Sequence, residues 1–309
     1  MRRSAMLTLL LLFIGVAIFV LRRRRHPTIF VITPTYSRPN QMPELVRLCT
    51  VLNAAGNVHW IVVEDAMTKN RALTRFLNDC GLPYTHLSAS TPPHSRNVRG
   101  TNQRNEALHW LRKKFQSTRQ SGVVYFADDD NTYHPDLFKE MRTLERGATW
   151  PVGMIAASDW EGCITDPSDR SKISHFWTNW EPNRKFPIDM AGFAVNLRLV
   201  LDYPNALFDD TTIGRQEGLI LTRLGFKNGY ELEPKADGCR KPLILTGMNI
   251  TLTMVVHKNV LRTARLLPMI HRVNNYYCIH LDARSSQQFQ EALQGVAACY
   301  KPNIGLVAV

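Results

Sequence analysis

The chain has 309 residues and a hydrophobic fraction of 44%, which is typical of a globular protein with one large domain. Its formal net charge is +12, but six of the basic residues flank the first apolar stretch and the others are scattered without a basic helix or an aromatic platform. This distribution argues against a nucleic-acid-binding protein, and it would suit a face that binds phosphates or an acidic polysaccharide.

The first predicted element is an uncharged stretch, residues 4–21, which reads SAMLTLLLLFIGVAIFVL. As a helix it would span about 27 Å, enough for a thin bilayer. A cleaved signal peptide is the alternative, but Arg22–Arg25 follow instead of the small residues that a signal peptidase accepts, so we expect an uncleaved anchor. Its orientation stays open here, because more arginines follow the stretch than precede it and charge counting alone would place the body of the protein in the cytosol.

Strand and helix patterns alternate after Pro27. Short apolar runs rich in Val, Ile and aromatic residues predict buried strands, and amphipathic repeats predict helices. The predicted strands are residues 28–33, 60–65 and 123–128, and the predicted helices are residues 44–56, 102–115 and 134–145. This alternation predicts an α/β fold with a mainly parallel central sheet.

Polar residues follow each predicted strand, at Thr33–Tyr36, Glu64–Asp65 and Asp128–Asp130. Ligands of such sheets bind beyond the carboxyl ends of the strands, so we expect these residues to line one site. The three adjacent aspartates would suit a solvated turn that caps the next helix. The alternative is a divalent cation, which would neutralise carboxylates that otherwise raise one another's pKa.

Carboxylate oxygens suit Mg²⁺ or Mn²⁺, which keep their other coordination positions for water and substrate phosphates. A metal diphosphate site of this kind would serve either a nucleotide-sugar transferase or a phosphohydrolase. The sequence contains no GxxxxGK[ST] motif, which argues against an NTPase of the P-loop type.

Further candidate residues are spread along the chain. The turn ITPTYSRP, residues 32–39, offers hydroxyls and an aromatic face for a uracil and ribose, and Arg99 and Arg104 offer guanidinium groups for phosphate or carboxylate oxygens. Asp189 and Glu217 are lone carboxylates next to apolar residues, where desolvation would raise the pKa toward that of a useful base. Solvated surface arginines and routine helix caps are the alternatives for these positions.

Six cysteines are spread widely without a CxxC pair, which argues against zinc knuckles and thioredoxin-like redox chemistry and leaves disulfides open. A glycosylation sequon begins at Asn249 and would matter only on the lumenal side of a membrane.

A collinear series of motifs covers roughly residues 28–245: TPTYSRP, HWIVVEDA, RGTNQRNEAL, VVYFADDDNTY, WPVG, FPIDMAGFAVNL, QEGLIL and LEP. With this series the chain resembles the β-1,3-glucuronosyltransferases of glycosyltransferase family 43, in particular the type that acts in proteoglycan linker synthesis. The resemblance implies a nucleotide-diphospho-sugar transferase fold (GT-A, Rossmann-like), UDP-glucuronate as donor, Mn²⁺ as cofactor, a galactose-terminated acceptor, a homodimer, and a type II anchor in the Golgi membrane with a lumenal catalytic domain.

The resemblance also implies a role for each candidate residue. Uridine would be held by Pro34, Thr35, Tyr36 and Asp65; the donor would be approached by Arg99 and Arg104; ribose and sugar would contact Asp128 and Asp129; the metal would bind Asp130; the acceptor would contact Glu161, Arg184 and Asp189; and the base would be Glu217. One carboxylate base suits inversion by direct displacement, in which the acceptor hydroxyl attacks opposite the leaving UDP.

The resemblance ends in the C-terminal part. The family has a His-Thr-Arg-Thr stretch after the LEP segment that helps to bind UDP, whereas this chain continues from Thr246 as TGMNITLTMVVHKN. We therefore predict an anchor segment at 1–26, a catalytic domain at 27–245 and a divergent segment at 246–309. The alternative function is a non-catalytic, membrane-anchored glycan- or UDP-binding protein inactivated by this altered C-terminus.

Overall fold

The computed structural model describes the chain from His26 to Thr246 with short gaps, and parts of the segment beyond it. The described ranges are 26–92, 100–118, 120–155, 158–209, 212, 214–246, 251–256, 260, 264, 276–281, 285–298 and 304–308. The predicted membrane anchor, residues 4–21, lies outside these ranges. Within them, no helix combines the length and the apolar composition needed to cross a membrane.

The elements alternate through the first half of the chain and become irregular afterwards. The strands are β1 (Thr28–Thr35), β2 (Val58–Glu64), β3 (Tyr84–Ser88), β4 (Gly122–Phe126), β5 (Thr132–Tyr133), β6 (Gly147–Thr149), β7 (Val152–Ile155), β8 (Ser158–Thr165), β9 (Ile173–Trp177), β10 (Phe193–Asn196), β11 (Glu233–Pro234), β12 (Ile244–Leu245), β13 (Thr251–Val256), β14 (Tyr276–Leu281) and β15 (Ile304–Ala308). The α-helices are α1 (Gln41–Ala55), α2 (Arg71–Asp79), α3 (Thr101–Phe115), α4 (Pro135–Met141), α5 (Leu197–Asp202), α6 (Gln216–Arg223), the short turn α7 (Ala236–Cys239) and α8 (Gln287–Ala298).

The central sheet has the strand order β11-β6-β10-β4-β1-β2-β3. Strand β1 pairs in parallel with β2 on one side and with β4 on the other, and β2 pairs in parallel with β3. Strand β10 runs antiparallel to both β4 and β6, while β11 is parallel to β6. The prediction of an α/β fold with a mainly parallel central sheet is therefore confirmed.

Continuous apolar runs form the central strands because both faces of the sheet are covered. Along β1, Ile29 and Val31 pack into the core on one face, and Phe30 and Ile32 pack into the core on the other. None of these four side chains is more than 2% exposed. Each side chain of this size contributes roughly 1.5–3 kcal/mol when it is fully buried, so the strands that carry the candidate site are held rigidly.

The predicted helix at residues 134–145 is shorter in the structure, where α4 ends at Met141. The start was predicted correctly, with Pro135 in the first turn and the His134 side chain accepting a hydrogen bond from the Asp136 amide at 3.2 Å. The end differs because the amides of the next three residues bond to carbonyls three positions back instead of four. The Arg142 guanidinium also binds backbone carbonyls at the end of α1 and Pro27 O before β1, the last at 2.7 Å. Periodicity reveals neither this change of hydrogen-bond pattern nor the tertiary contact.

A second sheet has the order β5-β12-β7-β8-β9 and packs beside the central one. Strand β5 directly follows the three aspartates, and β12 runs antiparallel to it with Ile244 opposite Tyr133 and Leu245 opposite Thr132. The chain after β12 therefore heads toward the aspartates. Beyond that point, β13, β14 and β15 form a separate parallel sheet in the segment whose structure the sequence left undecided.

Two disulfides are present within the described residues. Cys49 pairs with Cys80 across α1 and the end of α2, and Cys163 of β8 pairs with Cys239. The second bond closes the turn α7, in which Ala236, Asp237 and Cys239 have positive φ values of 56°, 57° and 63°. Such left-handed conformations cost roughly 1–2 kcal/mol per non-glycine residue, so the cross-link holds a turn that is unfavourable on its own.

We expect that replacing either cysteine pair by serine lowers the free energy of unfolding by about 4 kcal/mol, because the cross-link restricts the unfolded chain. The Cys163–Cys239 bond closes the longer loop, 76 residues against 31. Loss of this bond should lower the free energy of unfolding by about 1 kcal/mol more than loss of the Cys49–Cys80 bond. Urea denaturation of both double variants under non-reducing conditions measures this, and a smaller effect for the longer loop would contradict it.

Candidate active site

The candidate site lies where the strand order of the central sheet reverses. From β1 the chain moves to β2 and β3 on one side, and then returns to place β4 on the other side of β1. Ligands of open α/β sheets bind at such a switch point, beyond the carboxyl ends of the strands. A cavity of about 480 Å³ lies there. Its lining residues are Pro34, Thr35, Tyr36, Arg38, Asp65, Thr91, Gly100, Gln103, Arg104, Asp128, Asp129 and Asp130.

The backbone of the three aspartates is fixed from three sides. The Ala127 amide donates to Ile32 O at 2.9 Å, which continues the pairing of β4 with β1 for one more residue. The Tyr133 hydroxyl donates to Asp128 O at 2.9 Å, and Arg47 of α1 donates to Asp130 O at 2.8 Å. The turn is therefore held in one conformation before any ligand arrives.

Two of the three aspartates have protein partners for their carboxylates. Arg104 of α3 forms an ion pair with Asp128 Oδ1 at 2.5 Å. Asp129 is buried; its Oδ2 accepts a hydrogen bond from the Thr35 hydroxyl at 2.6 Å, and its Oδ1 pairs with Arg38 at 2.6 Å. These partners offset the repulsion between neighbouring carboxylates.

Asp130 differs, because no described side chain forms an ion pair with it. Burial raises the pKa of Asp130 above its ordinary value, the charges of Asp128 and Asp129 raise it further, and Arg38 opposes the shift. A carboxylate left in this state fits a cation. Within the described part of the chain, no three Asp, Glu, His or Cys side chains converge as a complete metal cage. One carboxylate plus substrate phosphates and water is nevertheless a common arrangement for Mg²⁺ and Mn²⁺, so the residues present fit such an ion.

The predicted uridine side of the site is brought together with the aspartates. Tyr36 presents a ring that is 46% exposed, and Pro34 and Thr35 line the same cavity. Both carboxylate oxygens of Asp65 accept hydrogen bonds from Thr91, one from its amide and one from its hydroxyl, each at 2.7 Å. Asp65 therefore also orders the segment after β3.

Of the two predicted arginines, Arg99 lies outside the described residues. Arg104 is 7% exposed and reaches the cavity from the first turn of α3. Gly100, with φ 79°, makes this approach feasible, because a Cβ there would stand 2.7 Å from Arg104 Nη1. The glycine thus serves both the left-handed start of α3 and the close packing of the guanidinium.

A second cavity of about 740 Å³ contains Glu217 and Arg184. Its remaining lining residues are Glu181, Pro182, Asn183, Lys185, Phe186, Thr212, Arg215, Gly218, Leu219 and Thr222. Glu161 is buried behind it, pairs with Arg184 at 2.7 Å and accepts a hydrogen bond from Thr178. Glu161 therefore supports Arg184 in this structure and does not itself line the cavity wall.

Two carboxyls near this second cavity have shifted pKa values. Burial raises the pKa of Asp189 to about 6, against a hydrogen bond of 2.8 Å from the Ala191 amide, and the charges of Asp128 and Glu161 raise it further. Burial also raises the pKa of half-buried Glu217 to about 7, with a further contribution from Asp189 and opposition from Arg104 and Arg184. The pKa of Glu217 thus depends on charged residues of both cavities, Arg104 in the first and Arg184 in the second. Its value lies where a general base works at neutral pH.

The sequence reasoning assigned no role to Arg38, Arg47, Thr91 and Gln103. Arg38 stands in the motif TPTYSRP, but its partner Asp129 is 91 positions away in the chain and only the fold brings them together. Gln103 donates to Ala89 O at 2.6 Å and to the Thr91 hydroxyl at 3.2 Å. Such supporting contacts have no short-range sequence signal.

The family model for "Glycosyltransferase family 43" matches residues 48–247. The chain belongs to glycosyltransferase family 43. It is 44% identical over 224 residues to the human galactosylgalactosylxylosylprotein 3-beta-glucuronosyltransferase 2, a match that covers 71% of this chain and 68% of that protein. It is 46% identical over 230 residues to the corresponding rat enzyme 1, again covering 71% and 68%. The predicted family and enzyme class, a β-1,3-glucuronosyltransferase, are confirmed by these matches.

Solved structures give more distant likenesses. The structure of Staphylococcus aureus TarS 1–349 matches with a TM-score of 0.44 and 14% identity over 71% of this chain and 60% of that chain. A mannosyltransferase from Pyrobaculum calidifontis, in complex with GDP-Man and Mn²⁺, matches with a TM-score of 0.43 and 16% identity over 77% and 64%. The GT-A, Rossmann-like fold expected for this family 43 chain agrees with its mainly parallel sheet and its site at the switch point.

The raised pKa of Glu217 predicts how stability depends on pH. Its folded-state pKa of about 7 lies above its ordinary value of 4.5, so the folded chain holds the proton more tightly between these values. The stabilisation is complete below about pH 4.5 and is lost as the pH rises through 7. We expect Glu217→Gln to gain up to about 3 kcal/mol of unfolding free energy relative to wild type between pH 4.5 and 8. Denaturant unfolding at several pH values measures the difference, and a constant difference across that window would refute the shift.

Proposed function

We propose that the chain transfers glucuronic acid from UDP-glucuronate, with inversion and in β1,3 linkage, to a terminal galactose of the proteoglycan linker. The names of the family 43 relatives support this reaction. The observation that carries it in this chain is the half-buried carboxylate of Glu217, which lines the second cavity and feels the charge of Arg104, a residue that lines the first cavity with the three aspartates. The alternative acceptor is the galactose at the end of N-acetyllactosamine. The residues that both types of enzyme share do not distinguish the two acceptors.

The two cavities divide the reaction. Glu217 takes the proton from the acceptor hydroxyl as its oxygen attacks the anomeric carbon of glucuronate, and the bond to UDP breaks on the opposite side. Mn²⁺, when bound at Asp130, would supply positive charge that stabilises the leaving diphosphate. Tyr36 and Asp65 hold the uridine, Asp128 and Asp129 contact ribose and sugar, and acceptor binding falls to Arg184 and Asp189 with Glu161 behind them. The pKa of Glu217 keeps a useful fraction in the basic form at neutral pH.

The location of the protein is part of the same proposal. Residues 4–21 would anchor it in the Golgi membrane as a single-pass type II protein with a lumenal catalytic domain. The two disulfides support a lumenal body, because such bonds persist in oxidising compartments and are rare in the cytosol. In that orientation Asn249, which lies outside the described residues, would be open to glycosylation. The homodimer stays a prediction.

One observation favours the alternative, a non-catalytic protein that binds UDP or glycans. Strand β12 runs beside β5 toward the aspartates, so the residues after Leu245 begin at the diphosphate end of the site. This is where the family's His-Thr-Arg-Thr stretch would follow, and the present chain has Thr246 and a different sequence. Loss of one phosphate-binding arginine would lower donor affinity about ten- to a hundredfold. The retained Asp130 and Glu217 favour the enzyme.

We expect Asp130→Ala to abolish transfer at saturating Mn²⁺, and Glu217→Gln to lower kcat by about 10²- to 10⁴-fold without changing the affinity for UDP. Transfer of labelled glucuronate to a Gal-β1,3-Gal acceptor, with NMR assignment of the new linkage, measures both. Asp136→Ala is the matched control, since this exposed acid lies six residues beyond Asp130 and outside both cavities. Near-normal turnover in Asp130→Ala would contradict the role of Asp130 as the metal ligand. Folded wild-type protein that binds UDP but transfers no glucuronate would favour the non-catalytic alternative.

Arg104 and Arg99 are the two candidates for binding the carboxylate of the donor's glucuronate. If Arg104 binds it, Arg104→Ala should lower kcat/KM for UDP-glucuronate about tenfold or more while affecting UDP-glucose less, because only the first carries the charge. Rates with both donors, measured side by side, give this ratio. An unchanged ratio would exclude Arg104 and leave Arg99 as the candidate.

A further inference from the structure

Arg38 contacts both halves of the donor cavity. Its Nη2 lies 2.6 Å from Asp129 Oδ1 and also pairs with Glu44 Oε2. Its Nη1 donates to Tyr36 O at 3.2 Å, and its guanidinium carbon lies 4.5 Å from the centre of the Tyr36 ring. The side chain is only 10% exposed. One arginine therefore connects the aspartate turn with the aromatic ring on the uridine side.

Each carboxylate oxygen of Asp129 has one protein donor in this arrangement. The Gln41 amide donates to the Thr35 hydroxyl at 3.0 Å, which directs the hydroxyl proton to Asp129 Oδ2 at 2.6 Å. Arg38 occupies Oδ1. Both oxygens thus face protein donors, whereas no described side chain pairs with the carboxylate of Asp130. The adjacent aspartates are chemically unequal because of their partners.

We propose that Arg38 is a positioning residue that keeps Asp129 out of the metal's coordination and leaves Asp130 as the ligand, thereby setting where the diphosphate of the donor lies. This inference rests on the proposed function, because it presupposes a divalent cation and a UDP-sugar. Arg38 touches neither reacting atom and acts through Asp129 and Tyr36.

Electrostatics separates this role from a purely structural one. A guanidinium beside a cation site repels the cation, so its removal strengthens the binding of the bare metal, and it also releases a second carboxylate. The same removal moves the metal away from the position that suits the diphosphate. Loss of Arg38 should therefore shift the affinities for Mn²⁺ alone and for UDP in opposite directions. A side chain needed only for folding would weaken both.

The test compares full-length wild type, Arg38→Ala and Arg38→Lys, purified in mild detergent, by calorimetric titration with Mn²⁺ alone and with UDP at saturating Mn²⁺. We expect Arg38→Ala to bind Mn²⁺ about fivefold more tightly. Its affinity for UDP with Mn²⁺ should fall about tenfold or more, with a higher donor KM and a smaller change in kcat. Lysine should restore the metal affinity more than the UDP affinity, because it keeps the charge but lacks the planar fork.

Arg112→Ala is the matched control for the loss of a buried arginine. Arg112 is 8% exposed, binds the backbone carbonyls of Val200, Tyr203 and Ala206, and lines neither cavity. It should lower Tm and leave the ratio of the two affinities at the wild-type value. The double variant Arg38→Ala with Asp129→Asn should lose the gain in Mn²⁺ affinity, since the released carboxylate is gone.

The outcomes are distinct. If UDP binding by wild type depends on Mn²⁺ and Arg38→Ala changes neither affinity, or weakens both as a folding defect would, the inference is overturned and the proposed function stands. If UDP binding by wild type does not depend on Mn²⁺, the metal role in the proposed function fails, and the inference fails with it. Opposite shifts in Arg38→Ala that disappear in the double variant support it.

Discussion

The repulsion among three adjacent carboxylates at the end of β4 is the constraint on which the rest of the site depends. The fold resolves it by giving each aspartate a different environment: Arg104 for Asp128, Thr35 and Arg38 for Asp129, and a half-buried position without a described ion pair for Asp130. These partners come from β1, the turn after it and α3, which meet only at the switch point of the parallel sheet. The partners of Asp128 and Asp129 thus offset part of the repulsion and leave Asp130 as the carboxylate that suits a cation.

The environment of Glu217 follows from the same distribution of charge. Glu217 is desolvated in the second cavity, where Asp189 raises its pKa and Arg104 and Arg184 lower it. The pKa of about 7 therefore reflects charges from both cavities. The ion pair of Glu161 with Arg184 is a supporting contact, because it gives a charged partner to a guanidinium that also donates to the Thr178 hydroxyl and to backbone carbonyls. Membership of glycosyltransferase family 43 gives the enzyme class to which this geometry belongs.

Local patterns predicted the strands that carry the candidate site, and long-range contacts produced the features that those patterns missed. The apolar runs gave β1, β2 and β4 within two or three residues, since strands buried on both faces need continuous apolar sequence. The antiparallel β10, the second sheet and the pairing of Cys163 with Cys239 depend on tertiary packing and have no local signal. The contact of Arg38 with Asp129 was missed for the same reason, although its motif was recognised.

The most direct test of the account is the position of the metal, measured by anomalous diffraction at the manganese edge from crystals of the chain grown with UDP and Mn²⁺. We expect one manganese peak within coordination distance of the Asp130 carboxylate and of the diphosphate oxygens, with Asp129 still bound to Thr35 and Arg38. A metal coordinated by Asp129 instead, or UDP bound with no manganese at the aspartates, would contradict it.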